Sequence, residues 1–314
     1  MPVLSCPLDQ LSLLRVSGPQ GADLLHAQLS QDFQHWPHEQ ARLAALLNPQ
    51  GRMLADFIAV HMAPEQIGLL LDATIAAAAL QRLRVFVLRL KCTLEDASAQ
   101  WARHGLLGDT ADDYPASLTP PAQPWGVRRL DNGALLLRLP QADETVRCVL
   151  LTEREQATQA ALRAELAALP TLSPSEWALQ DIRAGLPHLT AATQQLFVPQ
   201  MLNFELIGGV NFKKGCYPGQ EVVARSQYRG TLKRRMYVVS GPAAMQPGQE
   251  LVHAVDPGQP CGVVVNAAAD AAGFWWALAE LKIAFAGQKG LHLGSAEGPE
   301  LKLGALPYAL TAPD

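Results

Sequence analysis

An α+β chain that ends in a small β-barrel or sandwich is the fold class predicted by three features of the sequence. Residues 11–94 run strand, helix, hairpin, strand, helix, strand, an order that suggests an α+β layer. Asp131-Asn132-Gly133 stands between two apolar runs, a strong hairpin signal. From Met236 onward the chain changes to short apolar runs separated by Pro247-Gly248, Pro257-Gly258 and Gly287 to Gly290, the pattern of a small closed or two-layered β unit.

Leu11 to Val16 alternates as a strand, and Gly18-Pro19 opens an amphipathic helix through Leu24, Leu25 and Leu29. Ala41–Leu47 and Met53–His61, joined at Asn48-Pro49-Gln50-Gly51, form a hairpin. A short strand near Leu69–Leu71, an alanine-rich helix from Thr74 to about Val85 and a strand around Leu88–Leu94 follow. Asp109 to Pro124 carries four prolines and no periodicity, which marks a linker or long surface loop. Gly126–Arg129 and Ala134–Leu139 flank the second hairpin turn, and Val146–Leu151 continues as a strand. Helices are expected over Glu153–Leu169 and Ser175–Ala184, the latter with Ser173 or Ser175 as N-cap. Leu186–Cys216 is long, irregular and rich in hydrophobic residues, which suits a functional loop better than disorder.

At 314 residues and 49% hydrophobic composition, the chain has the length of two or three buried cores. Its net charge of −4 gives no overall reason to bind nucleic acid or membrane. One stretch departs from that: Lys213, Lys214, Arg225, Arg229, Lys233, Arg234 and Arg235 are opposed only by Glu221, a local basic surface suited to an anionic ligand or partner. The five cysteines have no C-x-x-C pair, so a disulfide framework or zinc site is not expected and a reducing compartment is. With no secretory-type start and no long apolar run, the expected location is cytoplasmic, with no membrane partner. The eight histidines show no metal-site spacing, and His188, which opens the long loop, is the one best placed to approach Cys216 in space.

Among the cysteines, Cys216 alone has a reactive setting. Lys213 and Lys214 precede it and favour a thiolate. Tyr217-Pro218-Gly219-Gln220 suits a type II turn, with proline fixing the first central position and glycine supplying positive φ at the second. Glu221 and Arg225 sit four apart, a favourable pair on a helix starting at that turn.

The run Gly208-Gly209-Val210-Asn211-Phe212-Lys213-Lys214-Gly215-Cys216-Tyr217, followed by Gly219-Gln220-Glu221-Val222-Val223-Ala224-Arg225, resembles the signature of the YgfZ family, folate-binding relatives of the glycine-cleavage T-protein. Val198-Pro199-Gln200, Val16-Ser17-Gly18-Pro19, Asn48-Pro49-Gln50-Gly51-Arg52, Trp177 ahead of Ala184-Gly185-Leu186-Pro187, and Leu306-Pro307-Tyr308 extend the likeness over nearly the whole chain. Pro218 replaces a threonine of the signature.

The resemblance implies a three-lobed, T-protein-like α+β fold. Residues 1–235 would form two interleaved lobes around a central folate site, and residues 236–314 a barrel. It implies tetrahydrofolate or a derivative as the ligand, and iron-sulfur enzymes, including tRNA-modifying radical enzymes, or their assembly machinery as partners. Cys216 and Lys214 would carry the chemistry, and Trp177, Arg183, Tyr217, Gln220, Glu221 and Arg225 would shape the folate pocket. Three departures bear on binding and activity. Arg183, a donor, stands where the T-protein has a pterin-holding glutamate, an acceptor. Ala55-Asp56 replaces a pair of acids, and Leu11 takes the place of a second family tryptophan. These favour an accessory factor over the alternative, an aminomethyl transferase. A third reading, an RNA-binding module built on the basic stretch, ranks last, and direct nucleic-acid binding is not expected.

Overall fold

The structure, a computed structural model, describes residues 2–311. Strands β1 (Leu4–Pro7) and β2 (Leu11–Ser17) lead into helix α1 (Gly21–Gln28), then β3 (Arg42–Leu47), β4 (Met53–Ala63) and β5 (Gln66–Asp72). Helix α2 (Ala73–Arg84), β6 (Thr93–Asp96), β7 (Trp101–Gly108), β8 (Val127–Arg129), β9 (Leu135–Arg138) and β10 (Val146–Glu153) come next. Helices α3 (Ala160–Ala168), α4 (Pro174–Arg183) and α5 (Gln220–Tyr228) precede β11 (Arg234–Gly241), β12 (Glu250–His253), β13 (Asp256–Ala269), β14 (Trp275–Lys282), β15 (Leu291–Leu293) and β16 (Glu300–Gly304).

These elements make two five-stranded sheets and a barrel. The first sheet runs β3-β4-β5-β2-β6 and the second β1-β7-β10-β9-β8, so the first strand of the chain belongs to the second lobe. The last six strands close in the order β11-β14-β13-β12-β15-β16, which settles the barrel against the sandwich. Closure removes the edge strands that a short sheet of this kind would otherwise expose.

Local chemistry explains most boundaries. Asp72 caps α2 by accepting from the Thr74 N–H at 2.8 Å. Ser173 caps α4 in a reciprocal box with Glu176, and Pro174 occupies the first helical position, where its missing N–H costs nothing. The loop over 186–216 is ordered by side chains that bond the backbone of other elements: Gln200 Nε2 donates to Val223 O and Asn203 Nδ2 to Met236 O, both at 2.8 Å. Phe197 and Phe204 are buried beneath it.

Three expectations are corrected and two strands are added. The strand around Leu88–Leu94 is really β6, Thr93–Asp96; Leu88 is exposed and takes φ +33 in turns that follow α2, so its apolar neighbours do not mark a ladder. The helix over Glu153–Leu169 shortens to α3, because β10 extends through Glu153. Residues 109–124 are more than a linker, since Tyr114 and Leu118 are buried there and the Tyr114 hydroxyl donates to Leu106 O and Val146 O. Strands β1 and β7 had no counterpart in the pattern; β7 is covered on both faces and so lacks alternation. No helix among the described residues is long and apolar enough to cross a membrane.

Candidate functional site

Helix α4 packs against β1 of the second sheet and β13 of the barrel, with Ser175 Oγ donating to Ala269 O at 2.9 Å. It therefore sits where the lobes meet. Trp177, on its inward face, is 2% exposed and lies flat on β7. Only glycine permits that approach: a Cβ at Gly105 would stand 2.5 Å from the Trp177 ring. The Arg147 guanidinium, 1% exposed in its side chain, lies 5.7 Å from the ring centroid.

A cavity of about 120 Å³ opens beside this tryptophan. Leu11, Ile58, Leu139, Val149, Trp177 and Ala178 give it apolar surface, and Gln10, Asp72, Asp181, His188 and Asn266 polar groups. Asp181 and His188 belong to one network with Arg147 and Asp56. Arg147 Nη1 bonds Asp181 Oδ1 at 2.5 Å, His188 Nε2 stands 3.8 Å from Asp181 Oδ2, and His188 Nδ1 bonds Asp56 Oδ2 at 3.0 Å. Asp56 also accepts the Leu189 N–H at 2.7 Å. Asn266 fixes the His188 backbone on both sides, accepting its N–H at 2.9 Å and donating to its carbonyl at 2.7 Å.

Burial alone would lower the His188 pKa, but hydrogen bonds to Asp181 and Asp56 outweigh it and raise the imidazole to about 10. His188 is thus held as an imidazolium, donating from Nδ1 to Asp56, with Nε2 at ion-pair distance from Asp181. Burial pushes the Asp181 carboxyl up, and the Arg147 charge with the His188 bond more than offsets this, holding it ionised.

Arg183 does not line the cavity. It ends α4, where its charge acts on Asp143 and Asp270. The residue of α4 that lines it is Asp181, two positions earlier, and sequence reasoning missed both it and Arg147. A lone arginine inside the apolar run Val146–Leu151 was the available signal. Leu11 faces the same space as Trp177, so position 11 does belong to the cavity.

Cys216 lies elsewhere, in a turn on the surface. The turn forms as its residues dictate: Gln220 N donates to Tyr217 O at 3.2 Å, and Gly219 takes φ +78. A side chain at Gly219 would also strike Asn48 O at 2.5 Å, because this turn is seated on the first hairpin loop. Cys216 is exposed. Lys214, expected to tune the thiol, turns its ammonium inward while remaining within electrostatic reach of Cys216. Its ammonium donates to His26 O and, at 2.7 Å, to Leu29 O, the open carbonyls at the end of α1, and lies 4.8 Å from the Tyr217 ring centroid. Burial brings its pKa down to about 8 against the pull of Asp32 and Cys216. Tyr217 is buried, and burial pushes its hydroxyl up to about 12.

Gln220 Oε1 accepts the Tyr217 N–H at 3.3 Å. Glu221 and Arg225 are exposed on α5, and no ion pair closes between them among the described residues. None of these turn residues lines the Trp177 cavity, so the residues expected in one pocket fall into two places. His188 is committed to the cavity network, and a histidine beside the turn is His26: a Cβ added at Gly215 would stand 3.5 Å from its Nε2.

No family model matches the chain. The tRNA-modifying protein YgfZ of Yersinia enterocolitica is 28% identical over 318 residues, 99% of this chain and 94% of that protein. The tRNA-modifying protein YgfZ of Blochmanniella pennsylvanica is 25% identical over 245 residues, 77% and 72% of the two chains. Among solved structures, the glycine cleavage system aminomethyltransferase T from Bartonella henselae superposes with a TM-score of 0.76 over 98% of this chain and 86% of its own, at 17% identity, a likeness of fold. Near-full-length YgfZ relatives and this shared three-lobed fold together identify the chain as a YgfZ-type, T-protein-like protein.

Proposed function

We propose that the protein is a folate-binding accessory factor that maintains iron-sulfur enzymes, including enzymes that modify tRNA, and that it acts through Cys216. The observation that carries the folate part is the junction cavity, with a tryptophan wall and fixed polar groups. A space of about 120 Å³ suits one ring end of a ligand; whole drug-sized ligands occupy pockets of roughly 300–1,000 Å³. Charged His188 and ionised Asp181 offer a donor and an acceptor side by side, which a pterin edge can use in place of the glutamate that position 183 lacks.

An accessory role is favoured over aminomethyl transfer because Asp56, the one acid kept from the T-protein pair, is 2% exposed and already bonded to His188 and the Leu189 N–H. RNA binding through the basic stretch is weakened by the inward use of three of its cations: Lys214 on α1, Arg234 on Glu280 and Arg235 on Glu205. The thiol part rests on exposure. Cys6, Cys148 and Cys261 are buried and Cys92 half-buried. Burial pushes the Cys6 thiol to about 11 and that of Cys148 to about 12, and raises Cys92 and Cys261 as well. Mass-mapped alkylation of the native protein is therefore expected to label Cys216 first. Earlier labelling of any other cysteine would remove Cys216 from the reading.

A further inference from the structure

The outer face of the second sheet carries a cleft that the site at Trp177 does not use. Successive side chains of a strand point to opposite faces, so on β7 the Gly105 position meets the Trp177 ring while Ala102 and His104 face the other way. Ser5 and Pro7 of β1 pair with Leu106 and His104 and share that outer face. Helix α3 packs on it, with Leu162 and Leu166 in one buried cluster with Leu106, Cys148 and Leu150. Between α3 and the β1–β7 edge a cavity of about 450 Å³ is left open.

Its charge is of one sign. Arg154, just past β10, and Arg163, on α3, line it together with His104, and no carboxylate does. Arg163 Nη1 donates to the backbone carbonyls of Glu153 at 3.0 Å and Gln156 at 3.1 Å, which anchors the guanidinium without neutralising it. The exposed Arg154 side chain has no hydrogen-bond or ion-pair partner among the described residues, and neither has the half-buried His104 ring. Burial, and after it the Arg154 charge, lowers the His104 pKa, so the ring is neutral at pH 7. Asp9 pulls the other way on His104 but does not line the cavity.

A cleft lined by unpaired cations concentrates anions, and small-molecule sites occupy roughly 300–1,000 Å³, a range that includes this one. Leu166, Leu169 and Pro7 give it apolar wall. The two guanidinium charges match a phosphomonoester, which carries about −1.5 to −2 charge at pH 7 and three acceptor oxygens. A carboxylate would leave one of them without a counter-charge. We propose that this cleft binds a small phosphomonoester with an apolar body, its phosphate held between Arg154 and Arg163 and its body against Leu166 and Leu169.

The test is calorimetry on the full chain at low ionic strength with phenyl phosphate as the probe, and inorganic phosphate and benzoate as comparisons. Saturable binding of phenyl phosphate to the native protein is expected, with both comparisons weaker. Arg154→Gln should weaken phenyl phosphate on the order of ten-fold, as loss of a charged hydrogen-bond donor does, with an unchanged thermal midpoint. Ala167→Phe, an exposed position of α3 on the cleft, should weaken phenyl phosphate more than inorganic phosphate, and it tests the site even where Arg154→Gln does not fold. No saturable binding of phenyl phosphate to the native protein, or equal binding to all three proteins, overturns the site. Benzoate binding as tightly as phenyl phosphate overturns the phosphate head, and inorganic phosphate binding as tightly overturns the apolar body. Neither residue lines the Trp177 cavity, so tetrahydrofolate binding should be the same in both variants as in the native protein.

Discussion

Cys216→Ser is expected to leave the fold intact and to reduce iron-sulfur enzyme activity to the empty-vector level in cells that lack the native protein. Two physical facts separate these outcomes. The thiol is exposed in a turn whose geometry is set by Pro218, Gly219 and the Tyr217 carbonyl, so replacing sulfur by oxygen opens no cavity and strands no buried group. Changes at such positions stay within about 0.5 kcal/mol. A serine hydroxyl, by contrast, does not ionise near neutral pH and cannot enter thiol-disulfide exchange or the cysteine oxidation ladder. Full complementation by the serine variant at matched expression would leave the turn with a purely structural part.

The second large effect concerns stability. Asp181→Ala removes the partner of Arg147, whose side chain is 1% exposed, and one of the two carboxylates that hold His188. Breaking a buried pair from one side costs roughly 3–5 kcal/mol, a large share of the ~5–15 kcal/mol available to a folded domain. The network also sets a pH window. His188 is raised to about 10 in the fold, so its stabilisation is complete below the free-imidazole value near 6.5 and is lost as pH rises through 10. Asp181 is lowered, so its stabilisation is complete above the free-carboxyl value near 3.9 and is lost as pH falls through its folded value. Denaturant midpoints at pH 6 and pH 9.5 should show the native protein losing stability over this range. His188→Gln should start lower and lose less. Equal losses in both proteins would show that His188 is not charged in the fold.

What was legible in the sequence is what local chemistry decides. Asp131-Asn132-Gly133 made its hairpin with Gly133 at φ +88, and Tyr217-Pro218-Gly219-Gln220 made its turn, because backbone conformation there depends on the residues themselves. The change of character near Met236 marked the barrel, but Pro257-Gly258, read as a break, lies inside β13 and the turn falls just before it, at Ala254-Val255. Strand β7 was hidden, since a strand covered on both faces carries no alternation. The direction of Lys214 was hidden too: a Lys-Lys pair reads as solvated, and only tertiary structure brings the open end of α1 to the second of the two. The cavity network joins Asp56, Arg147, Asp181 and His188 from four separate elements, so no spacing rule could assemble it. Motif spacing pointed to Arg183, whereas the residue of α4 that lines this cavity is Asp181, two residues earlier.

Tetrahydrofolate binding at the junction cavity, followed by calorimetry, tests the central claim most directly. The native protein and Ala178→Trp are the pair to compare: Ala178 is a half-buried part of the cavity wall, and an indole there fills the space while leaving the Cys216 turn, which does not line it, unchanged. Saturable binding to the native protein and its loss in Ala178→Trp, with the thermal midpoint unchanged, is the expected result. No binding to the native protein, or equal binding to both, would contradict a folate site beside Trp177.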